Sequence, residues 1–180
     1  DEGAKAIGKA LEGNETLKNL NILGNTFGEK GATALMPYYE IMSQTIETSL
    51  GWGVRSERWD LSKKKLSDGD MFLIEPLLRT MRNLKTLSLH NNNIGDEGLA
   101  VLSNVVSAIP MLDVLTLRGN KIGNVGCQCL LELIENDSLQ SLTCLTLRWN
   151  PNISSEELKT KFKRVWSEKG KETYRLKMIS

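Results

Sequence analysis

Apolar and polar residues alternate in a pattern that returns at a fixed spacing along the chain. Two segments, starting at Leu84 and at Leu112, carry leucine at their first, fourth and sixth positions, asparagine at the ninth, and isoleucine followed by glycine at the eleventh and twelfth. The leucines two residues apart predict a short strand that turns one side toward a core. The asparagine predicts the turn that leaves the strand. The two segments begin 28 residues apart, which makes them copies of one unit.

Further copies extend this repeat over most of the chain. Two begin at Leu17 and Leu142, and a degenerate one runs from Trp59 to Leu66 with Lys64 in place of the asparagine. Each strand is followed by apolar residues about four positions apart, which predicts a helix. Because one repeat cannot bury its apolar face alone, neighbouring repeats must stack. The sequence therefore predicts an α/β solenoid, an arc with a parallel sheet on its concave face and helices on its convex face.

This pattern resembles the leucine-rich repeats of the ribonuclease-inhibitor-like class, and the resemblance covers residues 1 to 158. It implies a horseshoe-shaped arc in which residues 1–153 form about five repeats, and residues 154–180 form a C-terminal helical cap with a basic tail. The first repeat is expected to be truncated, as part of a longer array, because Asp1-Glu2-Gly3 matches Asp96-Glu97-Gly98 in the helical half of a repeat. Proteins of this class include inhibitors, immune-receptor sensors, actin-capping modules, GTPase activators and ciliary scaffolds.

Two segments depart from the regular period and offer alternative binding surfaces. The step from Leu20 to Trp59 is 39 residues, which predicts an insertion near residues 49–58, around Trp52. Insertions in solenoids often bind partners, although Trp52 could instead fold back onto the core. Residues 154–180 contain eight basic and four acidic side chains, and this segment could contact an acidic partner or simply form a solvated face.

Composition and motifs exclude several classes of function. The 180-residue chain has a net charge of +1, so nucleic acid is not an expected partner, and no apolar run is long enough for a membrane span. Three cysteines are too few and odd in number for a disulfide framework, which favours a cytoplasmic location. No nucleotide-binding, metal-binding or nucleophile motif is present. We therefore expect no cofactor, no metal and no enzymatic activity.

The repeated asparagines are expected to be structural. They stand where the chain leaves each strand and main-chain amides lose their partners, so that a stacked row of side-chain amides can satisfy them. The predicted asparagine ladder consists of Asn25, Asn92, Asn120 and Asn150.

The repeat register also assigns residues to the concave face. His90, Arg118 and Arg148 occupy equivalent positions in adjacent repeats and would form a positive row about 4.8 Å apart, ending beside Trp149. Arginine and tryptophan are enriched at interaction hot spots. Alternatively, the arginines only aid solubility and Trp149 packs on the cap. The predicted partner-binding residues are Arg58, Asp60, Lys63, His90, Asn91, Arg118, Arg148 and Trp149.

These observations predict a non-enzymatic protein-interaction module that binds an acidic or mixed protein surface on its concave face. Three alternatives stay open. The chain could regulate a small GTPase, as the similar activators of the Ran GTPase do, although those proteins end in an acidic tail and this sequence ends in a basic one. It could be the sensing domain of an intracellular immune receptor, or a structural component of a large assembly such as a cilium.

Overall fold

A computed structural model describes residues 1–42, 57–172 and 176–178. The helices with both ends in this part of the chain are α1 (Glu2–Leu11), α2 (Glu29–Leu35), α3 (Asp68–Leu78), α4 (Asp96–Val106), α5 (Asn124–Glu135) and α6 (Glu156–Glu168). A 3-10 helix, Met36–Tyr38, follows α2. The strands are β1 (Arg58–Asp60), β2 (Thr86–Ser88), β3 (Val114–Thr116), β4 (Cys144–Thr146) and β5 (Leu176–Lys177). Most of the insertion predicted at 49–58, including Trp52, lies outside the described residues.

The strands form one parallel sheet whose spatial order follows the sequence. Its central row joins Leu87 to Leu115 and Leu115 to Leu145, and all three side chains are fully buried. Consecutive helices pack beside one another behind the sheet, because their apolar sides and the inward strand residues share one continuous core. The α/β solenoid predicted from the leucine pattern is confirmed.

Buried asparagine side chains join successive repeats where the strands end. The Asn120 Nδ2 donates to the carbonyls of Leu89 and Leu117, both at 2.9 Å, and its Oδ1 accepts from the Ile94 amide at 3.1 Å. Two of these three partners belong to the preceding repeat. Asn92 and Asn150 make equivalent bonds. Each amide therefore satisfies main-chain groups that the short strands leave without partners.

The first copy departs from this arrangement. Asn25 is exposed, and its side-chain amide donates to the Ile22 carbonyl of its own copy. No described strand precedes this copy to offer a second partner. The leucine pattern predicts a strand at Leu20 and Ile22 in this copy, and that prediction is wrong. The Leu20 amide donates to the Ile41 carbonyl at 3.2 Å rather than to a neighbouring strand, so the described sheet begins with β1.

A serine and an aspartate replace the asparagine at the junction between the first copy and the rest of the solenoid. Lys64 occupies the asparagine position there, and the fully buried Asp70 supplies the acceptors instead. Its Oδ1 accepts from the Gly24 amide at 3.1 Å, and its Oδ2 accepts from the Ser67 amide at 2.7 Å. The Ser67 hydroxyl also lies 2.8 Å from the carbonyl of Asn25.

Burial and hydrogen bonding act in opposite directions on Asp70. The Ser67 Oγ lies 2.8 Å from both the Asn25 carbonyl and the Asp70 Oδ2, and it has one proton to share between these two acceptors. Burial raises the pKa of Asp70 above its ordinary value of 3.8, and the hydrogen bonds from Ser67 and Gly24 offset only part of that effect.

This raised pKa predicts a pH-dependent contribution to stability. Folding favours protonated Asp70, so the contribution is complete below pH 3.8 and is lost as the pH rises through the folded-state pKa. We expect the unfolding free energy of the parent to fall relative to that of Asp70→Asn as the pH rises from about 3 toward neutrality. Denaturant titrations at each pH measure this difference, with Glu12→Gln as an exposed control. A difference that stays constant across this range would contradict the prediction.

Aspartates of one repeat cap the helix of the next. The Asp68 Oδ1 accepts from the amides of Gly95 and Gly98 at the start of α4, at 2.6 and 3.0 Å. A Cβ atom at Gly98 would lie 2.5 Å from this oxygen, so the close approach requires glycine. The same bonds join Asp1 to Gly28 and Gly31, and Asp96 to Gly123 and Gly126.

The C-terminal segment closes the core and also extends the sheet. Helix α6 begins after Ser155, whose hydroxyl accepts from the Leu158 amide, and it buries Phe162, Val165 and Trp166. The sequence analysis expected only a basic tail beyond this helix. Instead, β5 pairs in parallel with β4 and covers its outer edge.

Two lysines of the expected solvated tail hold this segment in place. The Lys171 Nζ donates to the carbonyls of Leu139 and Gln140 at 3.1 and 3.0 Å, and also to that of Leu142. The Lys169 Nζ donates to the carbonyl of Glu135 at the end of α5. Carbonyls at and beyond a helix C-terminus lack intrahelical donors, which explains why ammonium groups bind there. These two lysines are therefore structural, in contrast to the solvated face considered from sequence.

Candidate partner-binding groove

The outward side chains of the sheet line a groove of about 560 Å³, hereafter the sheet groove. Its floor is formed by small hydroxyl side chains, and larger charged and aromatic side chains stand around them. The groove is open because the outward residues of the central strands have short side chains. Longer side chains at these positions would fill it. The lining residues are Arg58, Trp59, Asp60, Thr86, Ser88, His90, Val114, Thr116, Arg118, Thr146, Arg148, Trp149 and Lys177.

Most of the residues predicted for the concave face meet in this groove. It contains Arg58, Asp60, His90, Arg118, Arg148 and Trp149. Lys63 and Asn91 do not line the groove. They lie in the exposed turns that follow β1 and β2, one residue beyond the position that His90 occupies in its repeat.

Basic side chains outnumber acidic ones around the groove. Arg58, Arg118, Arg148 and Lys177 carry positive charge, whereas Asp60 is the one acidic residue among the lining residues. The sequence analysis missed Lys177, which β5 places beside Thr146 of β4. Leu176 and Met178, the apolar residues on either side of Lys177, form the alternating pattern that could have indicated a strand.

Arg118 and Trp149 form a stacked pair at one end of the groove. The guanidinium carbon of Arg118 lies 3.5 Å from the centroid of the Trp149 ring, within the range of a cation–π interaction. Trp149 remains 56% exposed. Among the described residues, no carboxylate lies within ion-pair distance of Arg118 or Arg148, and the buried Nε atoms of both arginines lack hydrogen-bond partners.

Hydrogen bonds fix the polar side chains at the opposite end. The Asp60 Oδ1 accepts from the Ser62 amide at 3.0 Å, and the hydrogen bonds from Ser62 lower the pKa of Asp60. The Ser88 hydroxyl lies 2.9 Å from the His90 Nδ1, and Thr116 donates to Ser88 at 3.1 Å. This end of the groove is therefore internally bonded, whereas the Nε atoms of Arg118 and Arg148 have no hydrogen-bond partner among the described residues.

Trp149 occupies a backbone conformation that suits glycine or asparagine. The residue just before the asparagine position has a positive φ in every copy, +59° at Trp149 against +56° at Asn91 and +68° at Gly119. A bulky side chain is rarely found in this left-handed region, where its Cβ approaches the backbone. The protein therefore presents an exposed tryptophan at a position where the local backbone disfavours it.

Replacing Trp149 by asparagine should leave stability unchanged or slightly higher. Relief of backbone strain would offset the lost stacking on Arg118, so we expect the unfolding free energy to stay equal or rise by about 1 kcal/mol. Urea denaturation followed by circular dichroism measures it. A loss of more than about 2 kcal/mol would instead identify Trp149 as a packing residue.

The described residues show few features of metal sites, membrane spans or reactive thiols. They contain no cluster of three or more His, Cys, Asp or Glu side chains arranged to hold a metal ion. None of the helices found there has the length and hydrophobicity needed to cross a bilayer. Cys127 is buried, and burial raises the pKa of its thiol to about 12, which disfavours the reactive thiolate.

Comparison with known proteins identifies the repeats. A family model described as "Leucine Rich repeat" matches residues 13–36, 80–103 and 109–131. A solved structure titled "Leiomodin-1 Actin-Binding Site 2 (ABS2)" is similar, with a TM-score of 0.59 and 14% identity over 69% of this chain and 70% of that chain. No curated protein sequence matches the chain. Together with the parallel sheet and its helices, these findings define the chain as a leucine-rich-repeat protein. At this identity, the likeness to leiomodin-1 shows the fold alone.

Proposed function

We propose that this chain is a non-enzymatic protein-interaction module that binds a partner in the sheet groove. The stacked Arg118–Trp149 pair carries the proposal. An exposed tryptophan held in an unfavourable backbone conformation is best explained by a role outside the folded chain, and tryptophan and arginine are the side chains that most often dominate binding energy. The basic lining favours a partner whose surface is acidic or mixed.

The repeat class and cellular setting belong to the same proposal. A full helix between successive strands supports the ribonuclease-inhibitor-like class. Three cysteines without a disulfide support a reducing compartment such as the cytoplasm. A GTPase regulator, an immune-receptor sensor and a structural part of a large assembly are the settings in which such a module would act.

Affinity capture from a cell extract, with the parent chain and a groove variant as baits, tests the proposal. The variant combines Arg118→Glu, Arg148→Glu and Trp149→Ala, and the parent is the reference. A matched control carries two charge reversals and one truncation on the convex helices, Lys163→Glu, Arg164→Glu and Val125→Ala, all at exposed positions. Circular dichroism verifies that all three proteins are folded.

The outcomes separate the groove from the rest of the surface. We expect the parent and the control to retain the same partner protein equally, and the groove variant to lose it. Equal retention by all three would place binding elsewhere and overturn the proposal. Purified actin is included as a defined probe, because the structural neighbour is named as an actin-binding site.

A further inference from the structure

We infer that the sheet groove recognises an extended acidic segment of a protein, with side-chain carboxylates bound by Arg118 and Arg148 and an apolar side chain resting against Trp149. The inference depends on the proposed function and adds the chemistry of the partner.

The two arginines are placed to act together. Arg118 follows β3 and Arg148 follows β4 at the same repeat position, and the main chains are bonded there, with the Gly119 amide donating to the Arg148 carbonyl at 2.9 Å. Adjacent parallel strands lie about 4.8 Å apart, so the two guanidinium groups project from neighbouring points. Two unpaired cations this close repel each other, and an anion bound between them removes that repulsion.

Stacking on Trp149 favours a planar anion. The indole ring covers one face of the Arg118 guanidinium at 3.5 Å, which fixes the plane of its fork. A carboxylate matches such a fork with two parallel hydrogen bonds. Within the groove, the carboxylate of Asp60 is already engaged by Ser62, so the described lining supplies none for these arginines. We therefore assign the matching group to a partner.

The dimensions of the groove favour a segment of extended chain. A volume of about 560 Å³ accommodates a few side chains rather than a folded surface. Alternate side chains of an extended peptide project to the same side about 6.7 Å apart, so two acidic residues separated by one position can reach both arginines. Lys177, on β5, adds a third positive charge beside this path.

A short peptide with defined charges tests the inference. The probe is a blocked Asp-Gly-Asp-Gly-Leu peptide, whose two carboxylates and apolar side chain project to one side when the chain is extended, and its matched control replaces both aspartates by asparagine. Nuclear magnetic resonance at fixed ionic strength follows the side-chain N–H signals of the arginines and tryptophans, assigned with Arg118→Gln, Arg148→Gln and Trp149→Asn. We expect the acidic peptide to shift the signals of Arg118, Arg148 and Trp149, and its affinity to fall about tenfold in Arg118→Gln. Arg164→Gln, on the convex side, should leave the affinity unchanged.

Three results would overturn the inference. They are equal binding of the asparagine peptide, no response at about 10 mM acidic peptide, or more than tenfold tighter binding of a phosphoserine version, which would assign the groove to phosphate. The capture experiment separates this failure from failure of the proposed function. If the groove variant loses its partner while the acidic peptide does not bind, the interaction module stands and the carboxylate assignment falls.

Discussion

Replacement of Asn120 by alanine is expected to lower the free energy of unfolding by about 3 kcal/mol or more. The side chain is 4% exposed and satisfies the Ile94 amide and two carbonyls, of Leu89 and Leu117. Alanine removes the bonds to all three groups. The buried Ile94 amide loses its acceptor, at a cost of about 1–3 kcal/mol, whereas the Leu89 and Leu117 carbonyls keep the bonds from Asn92 and Asn150, so each lost bond there costs about 1 kcal/mol. Because two of the three groups belong to the preceding repeat, the substitution weakens an interface as well as a turn.

Asn25→Ala is the matched control for this substitution. Asn25 holds the equivalent position in the first copy, but it is exposed. Among the described residues, its amide donates to one carbonyl, that of Ile22. We expect a loss of about 0.5–1 kcal/mol, since water can replace that single bond. Urea denaturation of both variants, followed by circular dichroism, gives the comparison. Equal losses for the two variants would show that the ladder bonds between repeats contribute nothing beyond the local turn.

Truncation of Trp166 to alanine is expected to lower the free energy of unfolding by about 3–5 kcal/mol. This tryptophan is fully buried in α6, and its Nε1 donates to the Glu172 carbonyl at 3.2 Å. The loss combines a large cavity with removal of the bond that directs the chain from α6 toward β5. Trp149→Asn removes the same residue type from an exposed position and serves as the control.

Hydrogen exchange reports the same substitution locally. The Leu147 amide donates to the Lys177 carbonyl of β5 at 2.7 Å, so we expect faster exchange of this amide when Trp166 no longer anchors α6. The Leu89 amide, bonded to Thr116 within the centre of the sheet, should change much less. If Trp166→Ala were no more destabilising than Trp149→Asn, the C-terminal segment would not be part of the core.

The sequence was sufficient to predict the architecture because the leucine spacing is tied directly to burial. Leu87 and Leu89 stand at the paired positions of one copy and are fully buried, as are Leu115 and Leu117 in the next. A strand and a helix that alternate every 28 residues can bury those side chains only by stacking. The register then places Arg118 and Arg148 at equivalent points, which brings them into one groove.

The rest depends on contacts between distant segments. Lys177 reaches the groove because a two-residue strand pairs with β4, and so short a strand has too weak a pattern to distinguish it from a tail. The stacking of Trp149 on Arg118 requires the geometry of two repeats. The role of Asp70 arises because Lys64 replaces an asparagine, and no local rule says which side chain takes over the missing bonds.

The exchange of an asparagine for the Ser67–Asp70 pair has a consequence for folding cooperativity. The stability of a solenoid is approximately the sum of its repeats and the interfaces between neighbours, so the weakest interface decides where the array separates. Asparagine bonds join the repeats from β1 to β4, whereas the first copy is joined through a carboxyl group whose ionisation opposes burial. We therefore expect residues 1–42 to open before the rest, and to open more readily as the pH rises, while the repeats that carry the sheet groove stay folded.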